Sequence, residues 1–411
     1  MAVIELERSR SDLGKANRRA VLSEIIFHSP ISRTEIAGRT GLTNASVSRI
    51  TRELIDADIV CEPATAPAGR QERPGRRHIG LDVNPDGGCV LGIGINAFEQ
   101  FVSLADLRNR TIDRRELEIG SFADPEEVLG QAAEVADSIL SDAKVARGRV
   151  FGASVAITGA VNTELGIVRS APALGWNQVP VGDYLAEKLR LPVQVESLPN
   201  AMNLAETRFG IARGHNNVVA FNASLAIGSS FLFDGRLVRG RDDAAGVLRA
   251  SAPCAPAGTA GRTDGLAVAD RAGGWAVLSE VEGSAPPRDK AGVSPEAAKH
   301  LLALLGQASA GDERARRALR AAGAALGQVI NLVIAILHPE AVIVSGPLSR
   351  SADYVEGVRE VFSERDALDA EEIPLLVSRL TGQAAARWLA IDEFLTRRPL
   401  DLSRLEVREA A

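Results

Sequence analysis

Asparagine, serine and arginine side chains lie close together in one short stretch, LTNASVSRITRELIDADIV, at positions 42–60. An asparagine amide can pair with an adenine edge, and an arginine can pair with guanine or with a phosphate. The chemistry that these residue types offer is therefore recognition of nucleic acid. The candidate contacts in this stretch are Thr43, Asn44, Ala45, Ser46, Arg49 and Arg52.

A helix from Asn44 to about Ala57 would present those side chains together. Val47, Ile50 and Leu54 repeat on one face of such a helix, which leaves the polar residues on the other face. Thr43 is placed to cap it. A plain helical bundle with an exposed polar face is the alternative interpretation.

Two shorter helices are predicted before it. Apolar residues at helical spacing indicate one at 17–28, and the sequence Ser32-Arg33-Thr34-Glu35 is a capping box that opens another, which runs to about Thr40. Gly41 then allows a sharp turn. Two helices joined in this way are typical of the helix-turn-helix, whose second helix enters the major groove of DNA.

The next segment predicts a wing. A Gly/Pro-rich loop leads to the alternating residues Ile79, Leu81 and Val83, and its basic side chains suit the minor groove or the phosphates beside it. A solvated basic linker is the alternative. The candidate contacts are Arg70, Arg73, Arg76 and Arg77.

Charge and composition are compatible with this prediction. Residues 1–84 hold 13 Lys+Arg and 11 Asp+Glu, whereas the rest hold 34 and 42, so a slightly basic head precedes an acidic body. The start MAVIELERSRSD has no apolar signal core, and Val329 to Leu337, a run that is apolar except for Asn331, is too short to span a bilayer, so we expect a cytoplasmic protein. Cys61, Cys89 and Cys254 lack metal or disulfide spacing and are expected to be isolated thiols.

From Gly87 onward, apolar strand patterns alternate with long helical patterns, which indicates an α/β fold. Helices are expected at 125–145, 181–189, 202–210, 310–337 and 384–397, with a shorter one near 267–279. The apolar face of helix 310–337 could serve an interface or the core.

The order of these parts resembles the ROK family (repressor, open reading frame, kinase), in its regulator branch. The resemblance rests on the winged helix-turn-helix, then NPDGGCVLGIGI, APALGWNQVPVGDYLAEKLRLPVQVESLPNAMNLAE, FDGRLVRG and LHPEAVIVSGPL. It implies a winged helix-turn-helix at residues 1–85 and a two-lobed actin-like, hexokinase-like ROK domain at 86–411. The small lobe would take about 86–205 with a C-terminal helix at about 384–400, and the large lobe about 206–383.

The resemblance implies that several residues required for kinase chemistry are replaced in this sequence. Asn200-Ala201 stands for an Asn-Asp pair at a strand end, so the general base would be absent. The first phosphate turn, Gly-x-Asp-x-Gly-Gly-Thr in the family, has Gly94 for the acidic residue and Phe98 for the hydroxyl residue. The second is Ala223-Ser224-Leu225 instead of a Gly-Thr-Gly type.

The zinc site of the family is expected to be lost, because only Cys254 remains where the family has a cysteine cluster. His215, His300 and His338 are expected to be ordinary packing or surface residues. The ligand-binding candidates are Trp176, by stacking on a sugar, and the amides Asn177 and Asn200. Packing between the lobes is the alternative role for Trp176.

The resulting prediction is a sequence-specific transcriptional regulator, a repressor rather than an activator. Its non-catalytic ROK body would sense a small molecule, such as a sugar or sugar derivative, and would form a homodimer or tetramer. No membrane partner, cofactor or metal is expected. A sugar kinase with a fused DNA-binding head and a DNA-binding protein without a ligand remain the alternatives.

Overall fold

The N-terminal head contains three helices and a small antiparallel sheet. In the computed structural model, which describes residues 2–63, 80–119, 124–246, 248, 269–283, 295–363, 373–400 and 402, the helices are α1 (Ala2–His28), α2 (Arg33–Thr40) and α3 (Asn44–Asp56). The strands are β1 (Val60–Cys61) and β2 (Asp82–Val83). Helix α1 therefore begins well before residue 17, where apolar periodicity alone placed its start.

Local hydrogen bonds fix the ends of α2 and α3. The Ser32 hydroxyl accepts the N–H of Glu35, and the Glu35 carboxylate accepts the N–H of Ser32 at 2.9 Å, which confirms the capping box. Gly41 ends α2 in the left-handed conformation, at φ 69°. Thr43 caps α3, as predicted, and accepts the Ser46 N–H.

One apolar cluster holds the head together. Val21 and Leu22 of α1 are fully buried against Val47, Ile50 and Leu54 of α3. Val60 pairs with Val83, and an isolated bridge joins Ile31 to Leu81, so the chain on both sides of 64–79 is anchored. Residues 64–79, which include Ile79, lie outside the described residues.

The first lobe is built on a five-stranded sheet in the order β10-β6-β3-β4-β5. Its strands are β3 (Cys89–Ile95), β4 (Gln100–Asp106), β5 (Thr111–Glu116), β6 (Val150–Ile157) and β10 (Val193–Ser197), with β3 antiparallel to β4 and parallel to β6. Every residue of β3 is buried, as expected for a strand covered on both faces. The helices are α4 (Pro125–Asp142) and α5 (Val181–Leu189), and a smaller sheet contains β7 (Ala160–Asn162), β8 (Ile167–Ala171) and β9 (Trp176–Val179).

The second lobe repeats this plan, with a sheet in the order β13-β12-β11-β14-β15. Its strands are β11 (Val218–Ala223), β12 (Ile227–Phe233), β13 (Arg236–Leu237), β14 (Ala341–Ser345) and β15 (Leu375–Val377). Again an antiparallel hairpin, β11 with β12, is followed by parallel pairing of β11 with β14. The helices are α7 (Ala269–Ala272), α8 (Gly274–Glu282), α9 (Pro295–Ser309), α10 (Glu313–Leu337) and α11 (Ala352–Ser363).

Two helices lie between the lobes. Helix α6 (Leu198–Phe209) follows β10, and α12 (Gly382–Ile391) continues without a break into a π-helix at Asp392–Arg397. Helix α12 packs closely over the first sheet, where a Cβ on Gly92 would lie 2.6 Å from Cγ of Arg387. It also contacts α6, and the π-helix contacts α1 of the head.

Helix α10 is long and apolar enough, by length and composition, to cross a membrane. Its fully buried Leu319, Leu326 and Ile330 belong to the core of the second lobe, and α11 crosses it at close range. The close approach is made at glycines, because a Cβ on Gly323 would lie 2.0 Å from the carbonyl oxygen of Tyr354. These contacts are those of a core helix.

We therefore expect Gly323→Ala to destabilise the second lobe by about 1–3 kcal/mol, the usual cost of inserting a methyl group into a filled core. Gly306→Ala in α9 is the matched control, since a Cβ there meets nothing within 4 Å. It should be neutral or stabilise by up to about 1 kcal/mol. Urea unfolding midpoints measure both effects, and equal stability of the two variants would contradict this account of the helix crossing.

Candidate functional site

The first turn of α3 presents its polar side chains to solvent. Thr43, Asn44, Ala45, Arg49 and Arg52 are exposed, and Ser46 is half-buried. The Thr43 hydroxyl donates to the Ser46 hydroxyl at 2.9 Å while it accepts the Ser46 N–H at 3.2 Å, so the start of the helix is ordered by its own side chains. The structure thus brings the six predicted contacts of this helix onto one accessible surface.

Arg49 is paired within the helix. Its guanidinium contacts the carboxylate of Glu53 one turn later, and the same carboxylate accepts from Arg18 of α1 at 3.0 Å. An ion pair as exposed as this one contributes about 0–1 kcal/mol to stability, which is less than a good bidentate contact contributes to recognition of a base. Arg49 can therefore exchange Glu53 for a base edge at low cost.

The predicted wing is described only at its base. Arg33 of α2 pairs with Glu62 at 2.7 Å, and Arg108 of the body pairs with Asp82 at 2.6 Å, so both strands leading to the loop are held. The loop candidates lie outside the described residues; they are Arg70, Arg73, Arg76 and Arg77.

In the body, the first phosphate turn has become a closed hairpin turn. The Asn96 side-chain oxygen accepts the backbone N–H groups of Phe98 at 2.9 Å and of Glu99 at 3.0 Å. Gly94 has no space for an acidic side chain, because a Cβ there would lie 2.1 Å from the ring of Phe101. The amides of this turn are therefore used internally, and packing excludes an aspartate at position 94.

The turn that corresponds to the second phosphate turn, Ala223-Ser224-Leu225, packs against the start of α8. The N–H groups of Gly274 and Trp275 donate to the carbonyls of Ser224 and Leu225 at 2.8 and 3.2 Å. Leu225 is buried, whereas Ser224 lines the cleft between the lobes. The other residues that line this cleft are Asn96, Phe98, Glu99, Leu198, Met202, Asn222, Leu302, Gly346, Pro347, Arg350, Leu380, Thr381 and Gly382.

The structure places Ala201, the residue matched to the missing base, outside the cleft. Strand β10 ends at Ser197, and the next residue, Leu198, lines the cleft. Ala201 is fully buried in an apolar cluster with Ala205 and Ala385 and does not line the cleft. The end of β10 thus presents a leucine to the cleft, and Ala201, which the resemblance matched to the base, packs in the core; neither side chain can accept a proton.

A buried carboxylate that sequence reasoning missed organises a polar network between the lobes. Glu196 is 1% exposed, and its two oxygens accept from the Asn200 amide, the Ser197 N–H, the Thr163 hydroxyl and Arg239 at 2.8–3.2 Å. Arg239 follows β13 of the second lobe, so this network joins the two lobes. An acidic residue inside the apolar strand VQVES was the signal available in the sequence.

The three predicted ligand contacts are not brought together. The indole of Trp176 is 2% exposed and packs in the core of the first lobe with Val168 and Val181, so it presents no face to a ligand. Asn177 is exposed on β9. Asn200 is half-buried and bonded to Glu196 at 2.9 Å. Of the three, Asn200 has a place in the polar network between the lobes.

The described residues contain no group of three or more His, Cys, Asp or Glu that could hold a metal ion. Cys254 lies outside them. Cys61 and Cys89 are free thiols, and burial raises the pKa of Cys89 to about 12, which keeps it protonated.

The three predicted packing or surface histidines are all described. The His215 ring lies 3.1 Å from the carbonyl of Ala212, and His300 pairs with Glu282 at 3.6 Å. His338 ends α10 in the left-handed conformation.

Two protein-family models match the chain. The ROK family model matches residues 91–388, and a winged helix-turn-helix DNA-binding model matches residues 15–60. The chain therefore belongs to the ROK family. Its head is a winged helix-turn-helix DNA-binding domain, and the family and two-part fold predicted from the sequence are confirmed.

Curated relatives include a xylose repressor of Caldicellulosiruptor bescii, 27% identical over 57% of this chain and 58% of that protein. A transcriptional regulator of Mycobacterium bovis, Mb0495, is 29% identical over 87% of this chain and 81% of its own length. The DNA-binding transcriptional repressor Mlc of Escherichia coli is 23% identical over 87% of each chain.

Solved structures show the same fold. A ROK family transcriptional regulator, described as a homologue of Mlc, superposes with a TM-score of 0.73 at 23% identity and covers 96% of this chain and 99% of its own. A ROK family glucokinase from Streptomyces griseus superposes with a TM-score of 0.58 at 19% identity, over 75% of this chain and 99% of its own. The kinase therefore shares the fold of the body without the head.

The placement of α3 gives two different expectations for its arginines. Arg49→Ala should weaken binding at particular base pairs by about 1–3 kcal/mol, because its exposed side chain is predicted to read a base edge. Arg52→Ala should weaken binding to all sequences and reduce the slope of log affinity against log salt by about 1.

Binding of both variants is measured on DNA fragments that the wild-type protein retains, with single base changes and at several salt concentrations. Arg316→Ala, an exposed arginine of α10, removes the same charge far from the head and should bind as wild type does. If Arg49→Ala and Arg52→Ala also bind like wild type, α3 is not the recognition helix.

Proposed function

We propose that the protein is a sequence-specific DNA-binding transcriptional repressor of the cytoplasm whose ROK body senses a small molecule. The observation that carries this proposal is the exposed polar surface of α3 on a head that is packed firmly against a kinase-like body. Relatives named as repressors support the direction of regulation. The name of the xylose repressor supports a sugar or sugar derivative as the ligand class.

The contact between head and body favours a regulator over two independent domains. Arg18 and Arg19 of α1 donate to the carbonyl oxygens of Leu400 and Arg397 at 3.2 and 3.0 Å. Apolar residues of the head share one buried cluster with Ile391 and Leu395 of the body. Movement of the C-terminal helix would therefore move α1.

Two helices extend from the cleft to this contact. Helix α6 begins at Leu198 in the cleft and ends at Phe209, and α12 begins at Gly382 in the cleft and carries Trp388. The rings of Phe209 and Trp388 stack at 3.8 Å, and Phe27 of α1 lies 5.3 Å from Phe209. A ligand that binds one arrangement of the lobes better than another could change DNA occupancy through these helices.

The same cleft argues against phosphoryl transfer. A leucine follows strand β10 and Ala201 is buried, so neither supplies a base. Asn96 uses the amides of the first turn, and Gly94 cannot be replaced by an acid without displacing Phe101. Positioned charges and donors are what such a reaction requires. The alternative, a kinase with a regulatory head, has the glucokinase fold in its favour but lacks these groups.

A ligand-independent repressor is the second candidate. Arg239 already joins the lobes through Glu196 and Thr163, each at 2.8 Å, so protein groups connect the two lobes without a ligand. A thermal-shift screen against metabolites separates the two candidates, because a ligand that binds only the folded protein raises its melting temperature.

We also propose a homodimer or tetramer that needs no zinc. A two-fold dimer would match half-sites about one helical turn of DNA apart. The single cysteine at 254 in the segment where the family has its cluster supports independence from zinc, since one thiolate cannot form a tetrahedral site.

Genomic DNA fragments incubated with the purified protein at near-physiological salt should yield a few enriched sites that share a pseudo-palindrome. The Arg49→Ala/Arg52→Ala double variant should retain none of them, because it lacks both arginines of the exposed helix face. Sequencing of the retained fragments is the measurement. Absence of enrichment, both alone and with cell extract added, would contradict a specific regulator.

ATP turnover over hexoses and amino sugars should stay at the level of a protein-free blank, because neither Leu198 at the end of β10 nor the buried Ala201 can act as a base. Release of ADP is the measurement. The non-catalytic assignment would be overturned by ATP turnover that is lost in Ser224→Ala but kept in Ser309→Ala. Ser224 lies in the cleft, whereas Ser309 lies on the exposed surface of α9.

A further inference from the structure

The C-terminal end of α3 is held by an arginine of the first lobe. Arg149 directly precedes β6, and its guanidinium donates to the Ala57 carbonyl at 2.9 Å and to the Gly87 carbonyl at 3.1 Å. Ala57 is the C-cap of α3. The Arg149 side chain is half-buried, so this contact between head and body is partly shielded from water.

The helix does not supply this contact from its own side chains. The C-terminal end of a helix carries unpaired carbonyls and a partial negative charge, which a cation stabilises. The last turn of α3 contains no basic residue. The carbonyls of Leu54 and Ile55 accept N–H groups of residues that follow the helix, at 2.9 Å. That of Ala57 accepts from Arg149 instead, so the body completes the end of α3.

The residue after this C-cap is fixed as well. Asp58 adopts the left-handed conformation, at φ 62°, and its carbonyl accepts from the side-chain amide of Asn84 at 2.7 Å. Gly87 lies so close that a Cβ there would be 2.2 Å from the Asp58 carbonyl oxygen. The segment that enters the body therefore packs directly on the segment that leaves α3.

The strand pair beside α3 is tied to the same lobe. Arg108, in the turn between β4 and β5, donates to the Val83 carbonyl at 3.1 Å and pairs with Asp82 at 2.6 Å. Val83 of β2 lies opposite Val60 of β1, which follows α3 closely in the chain. Contacts from two separate parts of the first lobe thus restrain the chain on the C-terminal side of α3.

We propose that Arg149 is a positioning residue for DNA recognition, which sets the direction of α3 without contacting DNA. Helix α3 has 13 residues, so Arg149 acts about 20 Å from the first turn, which is predicted to read base edges. A change in tilt at one end displaces the other, and hydrogen bonds weaken steeply when distance or angle is lost. Non-specific binding is electrostatic and does not depend on such alignment. The inference rests on the proposed sequence-specific binding by α3.

The test compares wild type, Arg149→Met and Arg149→Lys in binding to a genomic fragment that wild type retains and to random-sequence DNA of equal length. Methionine keeps an unbranched apolar side chain and removes the guanidinium. Arg147→Met is the matched control, because Arg147 lies in the same turn but pairs with Asp137 and donates to the Leu189 carbonyl, both at 2.6 Å and both within the first lobe. Dissociation constants are measured at several salt concentrations, and the ratio of the two affinities is the readout.

Arg149→Met should lower affinity for the retained fragment by at least about fivefold, the cost of one weak base contact, and leave affinity for random DNA and the salt slope unchanged. Arg149→Lys should recover most of this loss, because an ammonium group can donate to the same carbonyls. Arg147→Met should bind as wild type does. If urea unfolding shows that Arg149→Met does not fold, Asn84→Ala carries the comparison with the same expected result, because it removes the donor to the Asp58 carbonyl.

A wild-type ratio of the two affinities in Arg149→Met would overturn the inference. An equal loss of affinity for both DNAs would do the same, because Arg149 would then act on stability alone, and a smaller salt slope would show that it contacts a phosphate. Failure of wild type to retain any fragment would overturn the proposed regulator and this inference with it. Retention by wild type together with an unchanged ratio in the variant would count against Arg149 alone.

Discussion

The structure depends on the packing of α1 against the C-terminal π-helix. Without this contact, the head would be a small three-helix unit attached by a two-stranded sheet, with little apolar surface to bury. Instead Val21, Leu22 and Ile25 of the head share a buried cluster with Ile391 and Leu395 of the body. One core therefore extends across the domain boundary, and the position of α3 is set by the body.

The π-helix has a physical role in that arrangement. It widens the last turns of α12, and Asp392 is buried there, where the Thr396 hydroxyl and Arg397 pair with it at 2.7 Å. The ring of Phe394 lies over Gly152 of β6, where a Cβ would be 2.4 Å away. The same helix thus fits the first sheet on one side and the head on the other. Such local irregularities are frequently found at functional sites.

Features set by local sequence could be predicted well. The capping box at Ser32, the turn at Gly41 and the helix Asn44–Asp56 depend on neighbours within a few residues, and the structure shows all three. Contacts between residues far apart in the sequence could not be predicted in this way. Tryptophan is a residue type that can stack on a sugar, but strand β9 places the Trp176 side chain in the core of the first lobe.

The missing base shows the same limit. Asn200-Ala201 looks like a degraded Asn-Asp pair, whereas the end of β10 is fixed by its parallel pairing with β6, in which Ser197 lies opposite Ile157. The residue that lines the cleft next to this strand end is Leu198, which the sequence pattern did not indicate. Helix α11 was missed because its apolar face is short, and its place depends on Gly357, where a Cβ would be 2.1 Å from the carbonyl oxygen of Arg320.

Restoring kinase chemistry would require changes that the packing resists. An acid at position 94 must displace Phe101, and replacing Asn96 would release the turn that positions Glu99. A base at position 198 would lie beside Met202 and Leu380, where loss of hydration disfavours its charge. Each of these positions is thus constrained by its own packing contacts, and none of them is free to change alone. The arrangement of the cleft is consistent with a body whose remaining task is to hold the lobes, and through α6 and α12 the head, in a defined relative position.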